Sequence, residues 1–97
     1  LVGKTAGVFQ STGTMQGGQE SVAMNCMSFF AHQGMVFIPV GYIDPKAFSY
    51  EEIHGGSPWG SGTYAGPDGS RQPTSMELSI AENHGRHFAK LTAKISA

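Results

Sequence analysis

The run Ser11-Thr12-Gly13-Thr14 followed by Met15-Gln16-Gly17-Gly18 is the part of this sequence best suited to hold a ligand. Small residues let a backbone approach a flat ring or a phosphate, and hydroxyls and free N–H groups supply hydrogen-bond donors. The run follows a short apolar segment and precedes a helical pattern. In an open α/β sheet, that is where ligands bind, beside the positive end of the helix. It contains no Gly-Lys-Ser/Thr and no GxGxxG, so neither nucleotide-loop pattern is matched. Read locally, it is either an ordinary strand-to-helix turn or one wall of a ligand site.

Other chemistry-bearing side chains are scattered. His32 falls in the last turn of the same helical pattern, where an imidazole interacts favourably with the helix dipole or could cover a nearby ligand. Tyr42 follows the next apolar segment and reads either as a packing residue or as part of a pocket. His84 and His87 share a helix face, but no third ligand stands at a suggestive spacing, so a solvated face is expected and no metal site is assigned. Cys26 sits on an apolar helix face and reads as core rather than nucleophile. Asp68 and Arg71 are spaced to pair within a loop. Trp59 and Tyr64 are either core anchors or an aromatic wall.

The elements that must position these residues follow from periodicity. Residues 5–10, TAGVFQ, read as a short buried strand. Residues 18–33 read as a helix with a stripe of Val22, Ala23, Cys26, Met27, Phe29 and Phe30, ended by Gly34. Residues 35–40, MVFIPV, read as a second buried strand that lies at an edge or ends near Pro39. Strand, helix and strand in this order predict a parallel βαβ unit. Residues 41–73 read as a long irregular stretch, too aromatic for a disordered linker. Residues 74–95 read as a final helix opened by the capping box Thr74-Ser75-Met76-Glu77. Ala81, Gly85, Phe88, Thr92 and Ile95 form its expected packing face, with Gly85 marking a close helix–sheet approach.

Composition narrows the function classes. The 97 residues carry 6 basic and 7 acidic side chains, a net charge of −1, without a basic run for nucleic acid. No stretch approaches the ~20 apolar residues of a membrane-spanning helix. The single cysteine excludes an internal disulfide and fits a cytoplasmic setting. Two parallel strands and two helices are too few to cover a parallel sheet on both faces. The chain, which does not begin with Met, is therefore expected to pack against an N-terminal half or another subunit.

Several segments together resemble one family: STGT…GGQE, His32-Gln33-Gly34-Met35, GGSPWG at residues 55–60, AGPDGSRQP at residues 65–73, and ELSIA in the last helix. In this order they are similar to the C-terminal half of the WrbA-type NAD(P)H:quinone oxidoreductases. The resemblance implies an α/β fold, the C-terminal portion of a flavodoxin-like doubly wound parallel sheet, spanning residues 1–97. It further implies FMN-dependent two-electron reduction of quinones by NAD(P)H in a homotetramer. Ser11, Thr12, Gly13, Thr14, Met15, Gln16, Gly17 and Gly18 would contact FMN. His32 would lie beside the flavin as the catalytic residue, and Tyr42 would line the substrate pocket. Met15-Gln16 departs from the glycines found here in some members, and Gln33 stands where a second histidine is common. The family's first strand and FMN phosphate loop have no counterpart in these residues, so the chain alone is expected to bind FMN weakly or not at all. The alternative is a non-catalytic or oligomeric binding module without functional FMN.

Overall fold

The computed structural model describes residues 1–96 and contains two helices and four short strands. The strands are β1 (Thr5–Ala6), β2 (Gln10–Thr12), β3 (Val36–Phe37) and β4 (Gly62–Tyr64), and the helices are α1 (Gln19–His32) and α2 (Ser75–Ser96). β1 pairs in parallel with β3, and β2 pairs in parallel with β4. The βαβ unit and its parallel pairing are as the sequence predicts, and the architecture is that of part of a doubly wound α/β sheet.

The first expected strand is cut in two, for a reason that lies in its neighbour. Thr5 and Ala6 sit opposite Val36 and Phe37, whereas Gln10 to Thr12 sit opposite Gly62 to Tyr64. Lys4, Ala6, Gln10 and Thr12 all turn their backbone groups to this side, bonding to Val36, Ile38, Ser61 and Ala65. Their even spacing means that β3 and β4 occupy one and the same edge. The neighbouring strand leaves after Phe37 and returns at Gly62, so residues 7–9 have no ladder. Gly7, Phe9 and Ser11 turn their backbone groups toward the opposite edge, which no strand occupies among the described residues.

Strand alternation also separates the helices. Thr5 bonds Thr92 of α2 at 2.8 Å, and Gly7 faces the Phe88 ring, whereas Gln10 and Thr12 bond Gln19 of α1. Side chains of opposite parity thus meet different helices, which places α1 and α2 on opposite faces. The core between them is small: Ala6, Ile38 and Val40 from the strand segments, Ala23 from α1 and Ile80 from α2. Ile38 and Val40 are buried beyond the end of β3, and the ladder stops just before Pro39, as expected of a residue without an N–H.

α1 begins at Gly18, whose φ of 83° is left-handed, and closes with two bonds typical of a glycine-terminated helix. Gly34, at φ 70°, donates to Ala31 O, and Met35 donates to Phe30 O, the paired bonds of a Schellman motif. The buried line of α1 is centred on Gln19 and Ala23, with Cys26, Met27 and Phe30 half-buried. Val22 and Phe29, expected at its centre, are about half exposed. Cys26 is a half-buried packing residue of this line.

The capping box of α2 forms as predicted: Glu77 N donates to Thr74 Oγ1 at 3.1 Å, and Thr74 N donates to Glu77 Oε1 at 2.8 Å. The packing face is rotated from the expected one. Glu77, Ile80 and His84 are buried, whereas Ala81 and Gly85 are exposed and border an open apolar groove of about 430 Å³ with Gly7, Val8 and Phe9. The close helix–strand approach lies at Gly7, where a Cβ would come within 3.1 Å of the Phe88 ring. A Cβ on Gly85 would meet nothing within 4 Å. Gly85→Ala should therefore stabilise the chain by about 1 kcal/mol through helix propensity alone, read as a higher urea midpoint with unchanged slope.

The irregular stretch expected over residues 41–73 instead begins at residue 38, because β3 ends at Phe37, and is interrupted by β4 at Gly62–Tyr64; between them the chain is anchored. Asp44 caps a 3-10 turn, Pro45–Phe48, and accepts from Asn83 Nδ2 at 2.7 Å, tying the excursion to α2. That bond first, and then Lys46, hold the Asp44 carboxyl below its ordinary range despite burial. Trp59 packs on Phe37, which stacks on Phe30, a half-buried row of aromatic rings. No helix among the described residues is long and apolar enough to cross a membrane.

Candidate functional site

The expected ligand loop starts as strand. Ser11 and Thr12 complete β2, and residues 13–18 then turn into α1. Thr12 Oγ1 donates to Thr14 O at 2.8 Å, and Gly17 N donates to the same carbonyl at 3.2 Å, so the turn is closed by its own hydroxyl. Gly17 is required here, because a Cβ would fall 2.6 Å from the Thr12 side chain. Gly18 opens α1 with no side-chain cap, leaving the first N–H groups of the helix to other partners.

Beside this turn lies an open hollow of about 360 Å³, bordered by Met15, Gln16 and Gly18 on one side and Gly56 and Tyr64 on the other. The loop after β2 thus meets the glycine-rich excursion and the end of β4. Glu20 is the charged side chain on the hollow's lining. A neutral, hydrogen-bonding edge suits such a lining, and a phosphate does not.

A buried polar network holds these segments together. The Gln19 carboxamide donates from Nε2 to Thr12 Oγ1 at 3.0 Å and to Thr63 O at 2.8 Å, and its Oε1 accepts from Gly56 N at 2.7 Å. On the opposite side of β4, Glu77 accepts from Gly55 N at 2.7 Å and from Thr63 Oγ1 at 2.8 Å, and pairs with Arg71 at 3.2 Å. Burial pushes the Glu77 carboxyl up, but the bonds from Gly55, Thr74, Thr63 and Arg71 outweigh it and hold the group below its ordinary 4.5. Arg71 Nη1 also donates to Tyr64 O at 2.8 Å, with the guanidinium over the Tyr64 ring at 5.8 Å from its centroid. Arg71 therefore pairs with Glu77 rather than with Asp68. The Asp68 carboxylate instead accepts from Ser70 N and Oγ.

The remaining expected site residues are not all brought together. Tyr42 lies past the C-terminal end of β3, the same end of the sheet as the loop, and is 63% exposed with its ring against Phe48. His32 lies at the far end of α1, near the start of the chain, where Gly3 N donates to Gly34 O. The 14 residues of α1 separate it from residues 11–18 by about 20 Å at the usual helix rise. Within one copy His32 does not face the loop. Tyr64, whose role the sequence leaves open, lines the hollow.

His84 is buried, not solvated. Its Nδ1 is 3.1 Å from Ser61 Oγ, while Nε2 has no partner in hydrogen-bond geometry. Burial lowers its pKa, with the Ile38 carbonyl acting in the opposite sense and the charge of His87 adding to the lowering. Gln19, Gly56 and Arg71 are the site residues that sequence reasoning missed. Gln19 stood only within the GGQE motif, and two of the partners that give it a role, Gly56 and Thr63, lie far along the chain.

No family model matches the chain. Among curated proteins, it is 54% identical over 90 residues to the NAD(P)H quinone oxidoreductase PST2 of Candida albicans, covering 93% of this chain and 45% of that protein. It is 49% identical over 96 residues to the quinone-oxidoreductase QR2 of Triphysaria versicolor, covering 98% of this chain and 47% of that protein. It is 46% identical over 97 residues to the NAD(P)H dehydrogenase (quinone) of Trichlorobacter lovleyi, covering all of this chain and 48% of that protein. The chain spans about half the length of these curated relatives.

Proposed function

We propose that this chain forms the C-terminal half of a flavodoxin-like, WrbA-type NAD(P)H:quinone oxidoreductase, and that the hollow beside residues 11–18 holds one edge of FMN. The observation that carries this reading is the meeting of the Thr12–Gly18 turn, Gly56 and Tyr64 at the C-terminal end of parallel strands. The residues present fit the ring of the cofactor and not its phosphate. Gly18 and Gly56 border the hollow and admit close approach, the uncapped start of α1 offers N–H donors, and no cation lines the hollow. The phosphate would then be held by the half of the relatives that this chain does not span.

The open apolar groove and the free edge at Gly7, Phe9 and Ser11 fit the same reading. Phe9 is 83% exposed, and a parallel strand on that edge with a covering element would bury it together with Val8 and Phe88. The N-terminal half would supply that cover.

Bound FMN would supply the two-electron chemistry between NAD(P)H and a quinone. The chain's own residues bind and orient: residues 11–18 donate to the ring edge, Tyr42 lines the substrate pocket, and His32 donates toward the quinone oxygen. Because His32 stands at the other end of α1, it serves a site built with a neighbouring copy in a tetramer. A cytoplasmic setting fits a chemistry that draws on NAD(P)H.

The test joins this chain to the N-terminal half of the Candida albicans relative. The joined protein should purify with flavin absorbance and reduce quinones with NADH or NADPH. His32→Ala should retain flavin and lose roughly tenfold or more of quinone turnover. A colourless product that takes up no added FMN overturns the flavin reading, and an unimpaired His32→Ala removes that residue from the mechanism.

A further inference from the structure

We infer that Gln19 is a positioning residue that sets the hydrogen-bond direction through the whole Thr12–Gly17 turn. This inference rests on the flavin reading above for its consequence, but its geometry stands independently. Gln19 is only 7% exposed, and all of its carboxamide contacts are with protein. The orientation of the amide is fixed by two partners of unambiguous character. The Gly56 N–H can only donate, so Oε1 must face it. The Thr63 carbonyl can only accept, so Nε2 must face that.

With Nε2 held there, its second proton points at Thr12 Oγ1. The Thr12 hydroxyl is thereby forced to accept from Gln19, and its single proton is left for Thr14 O. Thr14 O takes the Gly17 N–H as well, which closes the turn. One direction of donation thus runs from Gln19 through Thr12 to Thr14, and it fixes the turn whose Met15 and Gln16 border the hollow. The same carboxamide holds Gly56 on the other rim. Gln19 itself borders the hollow, and its bonds to Thr12 and Gly56 fix both rims at once.

A carboxylate at this position tests the direction of the relay and not only its presence. Gln19→Glu is nearly isosteric, but its ionised form cannot donate. Thr12 would then turn its proton to the carboxylate, Thr14 O would lose that donor, and Thr63 O would face a negative charge. Protonation restores one of the two donors, removes the negative charge beside Thr63 O, and lets Thr12 turn its proton back to Thr14 O. The charged and titratable groups around the site are Glu77 and Arg71 across Thr63, Glu20 in the same turn of α1, and His54 beside Gly55. Burial and the Glu77 carboxylate raise the pKa of the introduced acid, while the Gly56 N–H and the Arg71 guanidinium lower it. The parent, measured at the same pH values, is the control.

Two readouts keep the inference apart from the flavin reading. In the 97-residue chain, amide exchange of Gly17 should be faster in Gln19→Glu at about pH 8 and should return toward the parent near pH 5, after correction for the intrinsic pH dependence of exchange. In the joined protein, FMN should bind about tenfold more weakly at the higher pH, with the same recovery. Gln19→Leu should show the weakening and no recovery. Unchanged Gly17 exchange in both variants, or an equal loss in Gln19→Glu at both pH values, overturns the relay. If the parent itself binds no FMN, the flavin reading fails, and the exchange of Gly17 alone decides for or against the positioning role.

Discussion

Glu77→Ala should cost the chain about 3–5 kcal/mol of its stability at neutral pH. Glu77 is 3% exposed, and its carboxylate accepts from Gly55, Thr63, Arg71 and Thr74. Removing it strips partners from Gly55 N, Thr63 Oγ1 and Thr74 N, and leaves the Arg71 guanidinium half-buried without its counter-charge. Glu77→Gln keeps the shape but replaces an acceptor by a donor that meets Thr74 N or Arg71, so it should fall between the parent and alanine. Urea midpoints at pH 7 would rank the three; an alanine variant within 1 kcal/mol of the parent would refute the role of the network (about the value of one ordinary hydrogen bond). The sign of the pH dependence follows from the same contacts. The folded-state pKa of Glu77 is depressed below its ordinary 4.5. Its contribution is therefore full above about 4.5 and is lost as pH falls through the lower folded value. Acid unfolding of the parent should be steepest in that window, and the alanine variant should lack this component.

The parts of the molecule written in local residue chemistry were legible in the sequence. The run of glycines and hydroxyls after the first apolar segment marked the turn into α1, and Thr74 with Glu77 marked the start of α2. Gly34 marked the end of α1, and the structure has the bonds of a capping box and of a glycine-terminated helix at the last two of these points. What was not legible depends on partners distant in the chain. β4 is three residues among glycines, and nothing in Gly62-Thr63-Tyr64 announces a strand until Gln10 to Thr12 lie beside it. The α2 pattern had the right period and the wrong phase. Its buried positions include Glu77 and His84, types that a hydrophobic pattern assigns to solvent, while Ala81 and Gly85 border an open groove. The site shows the same division. Residues 11–18 were found, but Gln19 and Arg71 were not, because their bonds to Gly56, Thr63 and Glu77 close only in three dimensions. His32 was placed by resemblance, and the length of α1 assigns it to the other end of the sheet.

Gly60→Ala should be nearly as damaging as the loss of Glu77, for a purely steric reason. Gly60 is buried, and a Cβ built on it would fall onto the carbonyl oxygen of Val8. Neither group is the flexible end of a side chain, so the clash can be relieved only by moving backbone. Two pieces of structure meet at this point. Gly60 exchanges hydrogen bonds with Ser57, which closes the turn carrying Trp59 onto Phe37, and Ser61 O next to it accepts from Gln10 at the start of β2. Displacing Gly60 therefore pulls β4 from β2 or Trp59 from the aromatic stack. An overpacked backbone contact of this kind costs about 3 kcal/mol, seen as a lower urea midpoint. Gly13→Ala is the matching control, since a Cβ there would sit 3.6 Å from Gly66 O, an ordinary contact. It should leave the midpoint within about 0.5 kcal/mol of the parent. The pair separates two uses of glycine in one chain. At Gly60 the missing side chain is needed to let the excursion close on the first strand, whereas Gly13 leaves room on the loop proposed to meet FMN. If Gly60→Ala proved as benign as Gly13→Ala, the close approach of residues 8 and 60 would be wrong, and with it the placement of β4 beside β2 on which the hollow depends.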